Sequence, residues 1–111
     1  MKEENKRNGK VANHIKELAA SFFVRESDRS SLITVTSCAI SPDFKRATVF
    51  ITVFPNSKEA SALEFIKRKR KELRESLKKN LTIKTVPFID IAIDLGEKNR
   101  QKIDELLREN K

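Results

Sequence analysis

The chain has no tryptophan, no tyrosine, one cysteine, one histidine and only two glycines in 111 residues. Each scarcity removes a class of function. A single thiol, Cys38, rules out an intrachain disulfide, and a reducing cytoplasmic location is expected. Two glycines cannot build a phosphate loop of the Walker type. One histidine and one cysteine leave no set of ligands spaced for a metal. His14 stands on a helix flank, where a solvated imidazole is the ordinary reading. Cys38, in or just after a strand, reads as a buried, inert thiol. Asp90 and Asp94 lie on one side of the last strand, and period-two spacing also fits a plain polar face. No apolar run approaches the roughly 20 residues needed to span a bilayer, and the charged start has no secretory h-region. Neither an enzyme, a cofactor nor a membrane partner is expected.

What is abundant is charge. Hydrophobic residues make up 38 % and charged residues 36 %, with a formal net charge of +8. The length suggests one domain with a small core. Eight basic and two acidic residues between Lys67 and Lys79 hold most of the excess. That run sits inside a helical repeat, so its charge belongs to a folded surface able to meet phosphates. A solvated helix face is the bland alternative, but the density exceeds what solubility asks for. Lys45, Arg46 and Lys58 are weaker candidates.

Hydrophobic spacing divides the chain. Residues 1–9 are polar and read as a flexible start. Val11, Ile15, Leu18 and Phe22 predict an amphipathic helix of three to four turns, and residues 25–31 a loop. Ile33 and Val35 on one side, Thr34 and Thr36 on the other, predict a strand. Ser41, Pro42 and Asp43 make a turn. Ala47, Val49, Ile51 and Val53 then form one face of a second, antiparallel strand. Phe50 and Phe54 fall on its other face; burial is the favoured expectation, with an exposed contact surface as the alternative. Ser57 or Ser61 should cap the next helix, with Glu64 completing a capping box after Ser61. Leu63, Ile66, Leu73 and Leu77 form that helix's stripe, which breaks at Lys69 and Arg70 and predicts a kink or two helices. Ile83, Ile89, Ile91 and Ile93 mark a third strand, an edge at Pro87 or starting after it. Gly96 should end it, and Glu97 to Glu109, with Ile103, Leu106 and Leu107, make a short closing helix. The expected class is α+β: a two-layer domain with helices on one face of a three-stranded mixed sheet, order α-β-β-α(kinked)-β-α.

These elements and their motifs resemble the ribosome-binding factor A family of small bacterial proteins. The likeness runs through Arg7, Lys10, Val11, Ile15 and Leu18; Ile33 to Thr36; Ser41-Pro42-Asp43-Phe44; Ala47-Thr48-Val49; Leu63 to Ile66, Leu73, Arg74 and Leu77; Lys84, Val86-Pro87, Ile89 and Asp94; then Ile103, Leu106 and Leu107. The resemblance implies a type II KH-like domain over residues 10–95, followed by a short helix or tail at 96–111. It implies a non-catalytic factor that binds the 30S ribosomal subunit through 16S rRNA and assists late maturation, including processing near the rRNA 5′ region, with a special role in the cold. Ribosomal proteins are candidate further partners, and a monomer is the default expectation. The candidate RNA-binding residues are Arg7, Lys10, Lys67, Arg68, Lys69, Arg70, Lys71, Arg74, Lys78 and Lys84. The family usually places a small residue and a glycine at the helix bend, where this chain has Arg70 and Lys71, so the bend must use ordinary dihedrals or be milder. With no aromatic stacking platform apparent, phosphate and shape recognition of structured RNA is the expected mode. A general KH-like RNA binder and a protein-interaction module built on Phe50 and Phe54 are the alternatives.

Overall fold

The computed structural model describes residues 2–27, 30–81 and 85–109, those at 2–8, 102 and 104–109 through backbone alone. Its elements are α1 (Lys2–Glu26), β1 (Leu32–Ile40), β2 (Arg46–Phe54), a 3-10 turn (Asn56–Lys58), α2 (Glu59–Arg68), α3 (Arg70–Asn80), β3 (Phe88–Ile93) and α4 (Leu95–Glu109). This is the expected order. The sheet runs β1-β2-β3, with β1 and β2 antiparallel and β2 and β3 parallel. A parallel pair needs a long crossover, which α2 and α3 supply.

The central strand organises the core. Ala47, Val49, Ile51 and Val53 are buried, as their alternation predicts. On β3, Ile89 and Ile91 align beside Ala47 and Val49 and extend the same face. Against it pack Ile15, Ala19, Phe22 and Phe23 of α1, Ala62 and Ile66 of α2, and Leu73 and Leu77 of α3. On β1 the inward phase changes. Ile33 and Val35 pair with Val53 and Ile51, then Cys38 and Ile40 pair with Val49 and Ala47. Thr36 is the extra residue of a β-bulge, and it resets the alternation so that both halves face the core.

Several boundaries differ from expectation. α1 starts at Lys2, well before the first apolar residue of its stripe. The polar residues ahead of Val11 include good helix formers, and propensity carries the helix past the packed segment. One boundary agrees: β3 begins after Pro87, as one of the two expected arrangements had it, and Ile83 lies outside the described residues. Gly96 does not end it. The strand stops at Ile93, and Gly96 sits in the first turn of α4 because Asp94 caps that helix from outside. Neither Ser57 nor Ser61 caps α2. Lys58 occupies the N-cap without a side-chain bond, and Ser61 Oγ instead donates to the Lys58 carbonyl at 3.1 Å.

Phe54 overturns the expected burial. It is 68 % exposed at the end of β2, beside the exposed Leu32, its cross-strand partner. Phe50, nearer the middle of the sheet, is half-buried.

Candidate nucleic-acid interface

The basic run turns on Lys69. This residue belongs to neither helix and adopts φ −90°, ψ 3°. Its N–H is shared between the carbonyls of Phe65 (3.2 Å) and Ile66 (3.0 Å), closing α2, while its own carbonyl accepts from Leu73 N–H at 3.0 Å and opens α3. The break therefore falls where the apolar stripe lapses, with dihedrals open to any L-residue. Arg70 and Lys71, the positions matched to the family's small residue and glycine, both lie inside α3. Lys69 itself turns inward along the surface. Its ammonium lies 5.9 Å from the Phe65 ring, 3.4 Å from Glu72 and 4.0 Å from Glu26. Half-exposed pairs of this kind contribute only about 0.2–1 kcal/mol each, so their effect is to orient the side chain.

Beyond the bend the cluster divides. Arg70, Lys71 and Arg74 rise on one flank of α3 and meet β3, lining an open recess with Phe88 and Ile89. Arg70 places its guanidinium 4.8 Å from the Phe88 ring centroid and pairs with Asp90 at 3.8 Å. Arg74 donates to the Val86 carbonyl at 3.2 Å, tying α3 to the segment that leads into β3. Lys67 and Arg68 lie elsewhere, beside Ala60, Leu63 and Glu64 of α2. Lys78 is exposed and pairs with Glu75 at 3.7 Å. Lys10 is exposed on α1. The side chain of Arg7 and the whole of Lys84 lie outside the described residues.

One member of this surface, Phe88, escaped the sequence reading, and Arg46 was only a weaker candidate. Phe88 is 47 % exposed, and Arg46, its register partner on β2, sets its guanidinium 5.6 Å from the same ring. The signal was present, because inward Ile89 and Ile91 put Phe88 on the outward phase. Asp94 was read as part of a polar strand face. It is the cap of α4, accepting from Glu97 N–H at 3.0 Å and from the Thr36 hydroxyl at 2.5 Å. The Thr36 hydroxyl foremost, then the Glu97 N–H, hold its carboxyl below the ordinary value of 3.8. Away from this surface, burial pushes the Cys38 thiol up to about 11, so it stays protonated at neutral pH and is a poor nucleophile. His14 is exposed.

The family model for ribosome-binding factor A matches residues 7–107. Among similar proteins of that name, the one from Paenarthrobacter aurescens is 31 % identical over 108 residues, 95 % of this chain and 65 % of that protein. The one from Beutenbergia cavernae is 30 % identical over 108 residues, 95 % of this chain and 68 % of its own length. The one from Clavibacter michiganensis is 31 % identical over 103 residues, 90 % of this chain and 62 % of its own. The chain thus spans about two thirds of the length of these relatives, and less than that in two of the three. Among solved structures, the crystal structure of ribosome-binding factor A from Thermus thermophilus aligns with a TM-score of 0.68 at 20 % identity, covering 76 % of this chain and 92 % of that one. A homology model of the Thermus thermophilus factor, fitted to the cryo-EM map of its complex with the 30S subunit, aligns at 0.62 and 20 % identity, covering 71 % and 86 %. At these identities the likeness speaks to fold, and the fold is the two-layer, KH-like α+β arrangement.

Proposed function

The chain belongs to the ribosome-binding factor A family, and from that premise we propose that it docks transiently on the 30S ribosomal subunit through 16S rRNA and assists the subunit's late maturation, including processing near the rRNA 5′ region. The Thermus thermophilus relative was fitted in complex with a 30S subunit. The observation that carries the reading to this chain is the basic surface around the α2–α3 bend. Its lysines and arginines stand on two short helices anchored in the core by Ile66, Leu73 and Leu77, so the charge is presented at fixed spacing. Rigid presentation lowers the ordering cost of binding. Each phosphate contact releases counterions and steepens the salt dependence by about 0.7–0.9 in log–log slope. The factor works by binding energy spent on local RNA conformation, without covalent chemistry, in the cytoplasm.

The test is gradient co-sedimentation with separated 30S, 50S and 70S particles at two salt concentrations. Reversing Arg68, Arg70 and Arg74 together would confuse binding with folding, since Arg74 holds the Val86 carbonyl and Arg70 pairs with Asp90. Lys67, Arg68 and Lys71 are exposed and suit the purpose better. Their triple reversal to Glu is expected to remove the protein from the 30S fraction while its melting curve stays two-state. Unchanged co-sedimentation of this variant would overturn the reading.

A second reading, a protein contact, is favoured by one observation. Val24, Leu32 and Phe54 are all strongly exposed and border one open recess at the end of the sheet. Binding through this patch would resist salt and be lost on Phe54→Ser, the reverse of the basic-surface behaviour.

A further inference from the structure

Phe88 opens β3 at the edge of the sheet and faces outward, with nearly half of its surface in water. Its backbone is fixed. The N–H donates to the Lys45 carbonyl at 2.9 Å, and the preceding Pro87 and Val86 are buried. Two guanidiniums lie within cation–π range of the ring, Arg46 at 5.6 Å and Arg70 at 4.8 Å. Each is placed by a different element: Arg46 by the β2–β3 register, Arg70 by the first turn of α3 and its 3.8 Å contact with Asp90. They orient the ring without sealing it. The adjoining recess, lined by Arg70, Lys71, Arg74, Phe88 and Ile89, has a volume of about 280 Å³, just under the roughly 300–1,000 Å³ of drug-sized pockets. Its size suits one planar group better than a larger ligand.

We propose that Phe88, framed by Arg46 and Arg70, is a stacking platform for one unpaired base, so that this face takes a single-stranded RNA segment. A base offers a π-face to an aromatic ring whatever its identity, and in a duplex that face is already covered by its neighbours. A platform of this kind therefore selects unpaired nucleotides without reading sequence. The cations around it meet the flanking phosphates, Lys71 from the exposed side of α3 and Arg46 from β2. An exposed aromatic among arginines has a purpose here that a solvated basic face would not require. The proposal rests on the reading of this surface as an RNA interface. It replaces the expectation of phosphate and shape recognition alone, which assumed no aromatic was available.

The chain contains no tryptophan, so Phe88→Trp introduces a sole indole reporter at the platform. The experiment titrates the parent chain, its Phe88→Trp variant and its Phe88→Ala variant at low salt. The probes are a single-stranded oligouridine of about ten nucleotides, its abasic equivalent and an RNA duplex of equal length. Phe88→Ala should weaken single-strand binding by about tenfold or more and leave duplex binding unchanged. Phe88→Trp should bind like the parent, with fluorescence quenched by the oligouridine and not by the abasic strand. Parent-like single-strand affinity of Phe88→Ala overturns the proposal. So does equal quenching by the abasic strand, or failure of the parent to bind the single strand. Co-sedimentation of Phe88→Ala with 30S particles, run in parallel, separates the two readings. Retained salt-sensitive 30S binding with no single-strand effect sinks the platform alone. Quenching of Phe88→Trp by the oligouridine, with no co-sedimentation of the parent chain with 30S particles, sinks the ribosomal role and leaves the platform standing.

Discussion

The Thr36 hydroxyl donates to Asp94 Oδ2 at 2.5 Å, a bond that joins residues 58 apart in sequence across the central strand. Thr36 is the bulge residue of β1, and Asp94 is the first residue beyond β3. Asp94 is engaged on every side. Its N–H donates to the Ile51 carbonyl at 2.8 Å, its Oδ1 accepts from Glu97 N–H at 3.0 Å, and its carbonyl accepts from Lys98 N–H at 3.0 Å. One carboxylate thus ends the third strand, caps the last helix and ties both to the first strand.

That network gives Asp94 a pH-dependent share of stability. Its carboxyl is depressed in the fold by the Thr36 hydroxyl first and the Glu97 N–H second. A depressed acid stabilises above its unfolded value, near 3.8, and the contribution fades as pH falls through the folded value. Asp94→Ala should therefore cost about 1 kcal/mol at pH 7, the usual value of a lost N-cap, and less at pH 3. Asp43, also depressed, is common to both proteins and cancels in the difference. Urea unfolding of parent and variant at the two pH values measures it. An equal cost at both would show that the carboxylate's charge plays no part.

Much of this architecture was legible because burial on one side leaves a periodic trace. Ala47, Val49, Ile51 and Val53 announce the central strand, and the lapse between Ile66 and Leu73 announces the bend. Features that depend on long-range partners left fainter marks. The Thr36 bulge shows only as a spacing of three between Val35 and Cys38, and Asp94 looks like any strand-end acid until Thr36 is placed beside it. The basic run was legible as charge, and its division was not, since the helical phase restarts at Lys69. Phe88 was overlooked because Pro87 obscured the start of β3.

The position of the bend makes its own prediction. Lys71 is an exposed residue in the first turn of α3, so Lys71→Gly should destabilise the protein by up to about 1 kcal/mol, the helix-interior penalty of glycine being the ceiling. Lys69→Gly should also destabilise, by about 0.5–1 kcal/mol or more, because φ −90° needs no glycine and the flexible residue only widens the unfolded ensemble. Denaturant midpoints of the two variants decide the matter. A neutral or stabilising Lys71→Gly would move the bend to the position matched to the family's glycine.

Phe22 and Phe54 offer the sharpest contrast among the aromatics. Phe22 is buried in the core, edge-to-face with Phe23 at 5.9 Å between centroids, and Phe22→Ala should cost about 3–5 kcal/mol. Against a total of about 5–15 kcal/mol, that loss brings a domain of this size close to unfolding. Phe54 has little to lose, for its ring already meets water, and Phe54→Ser should fall within about 0.5 kcal/mol of the parent. Urea titrations of both variants measure the difference. A cost above about 2 kcal/mol for Phe54→Ser would mean that this ring is covered in solution. The apolar patch with Val24 and Leu32 would then be a piece of core, and the protein-contact reading would lose its foundation.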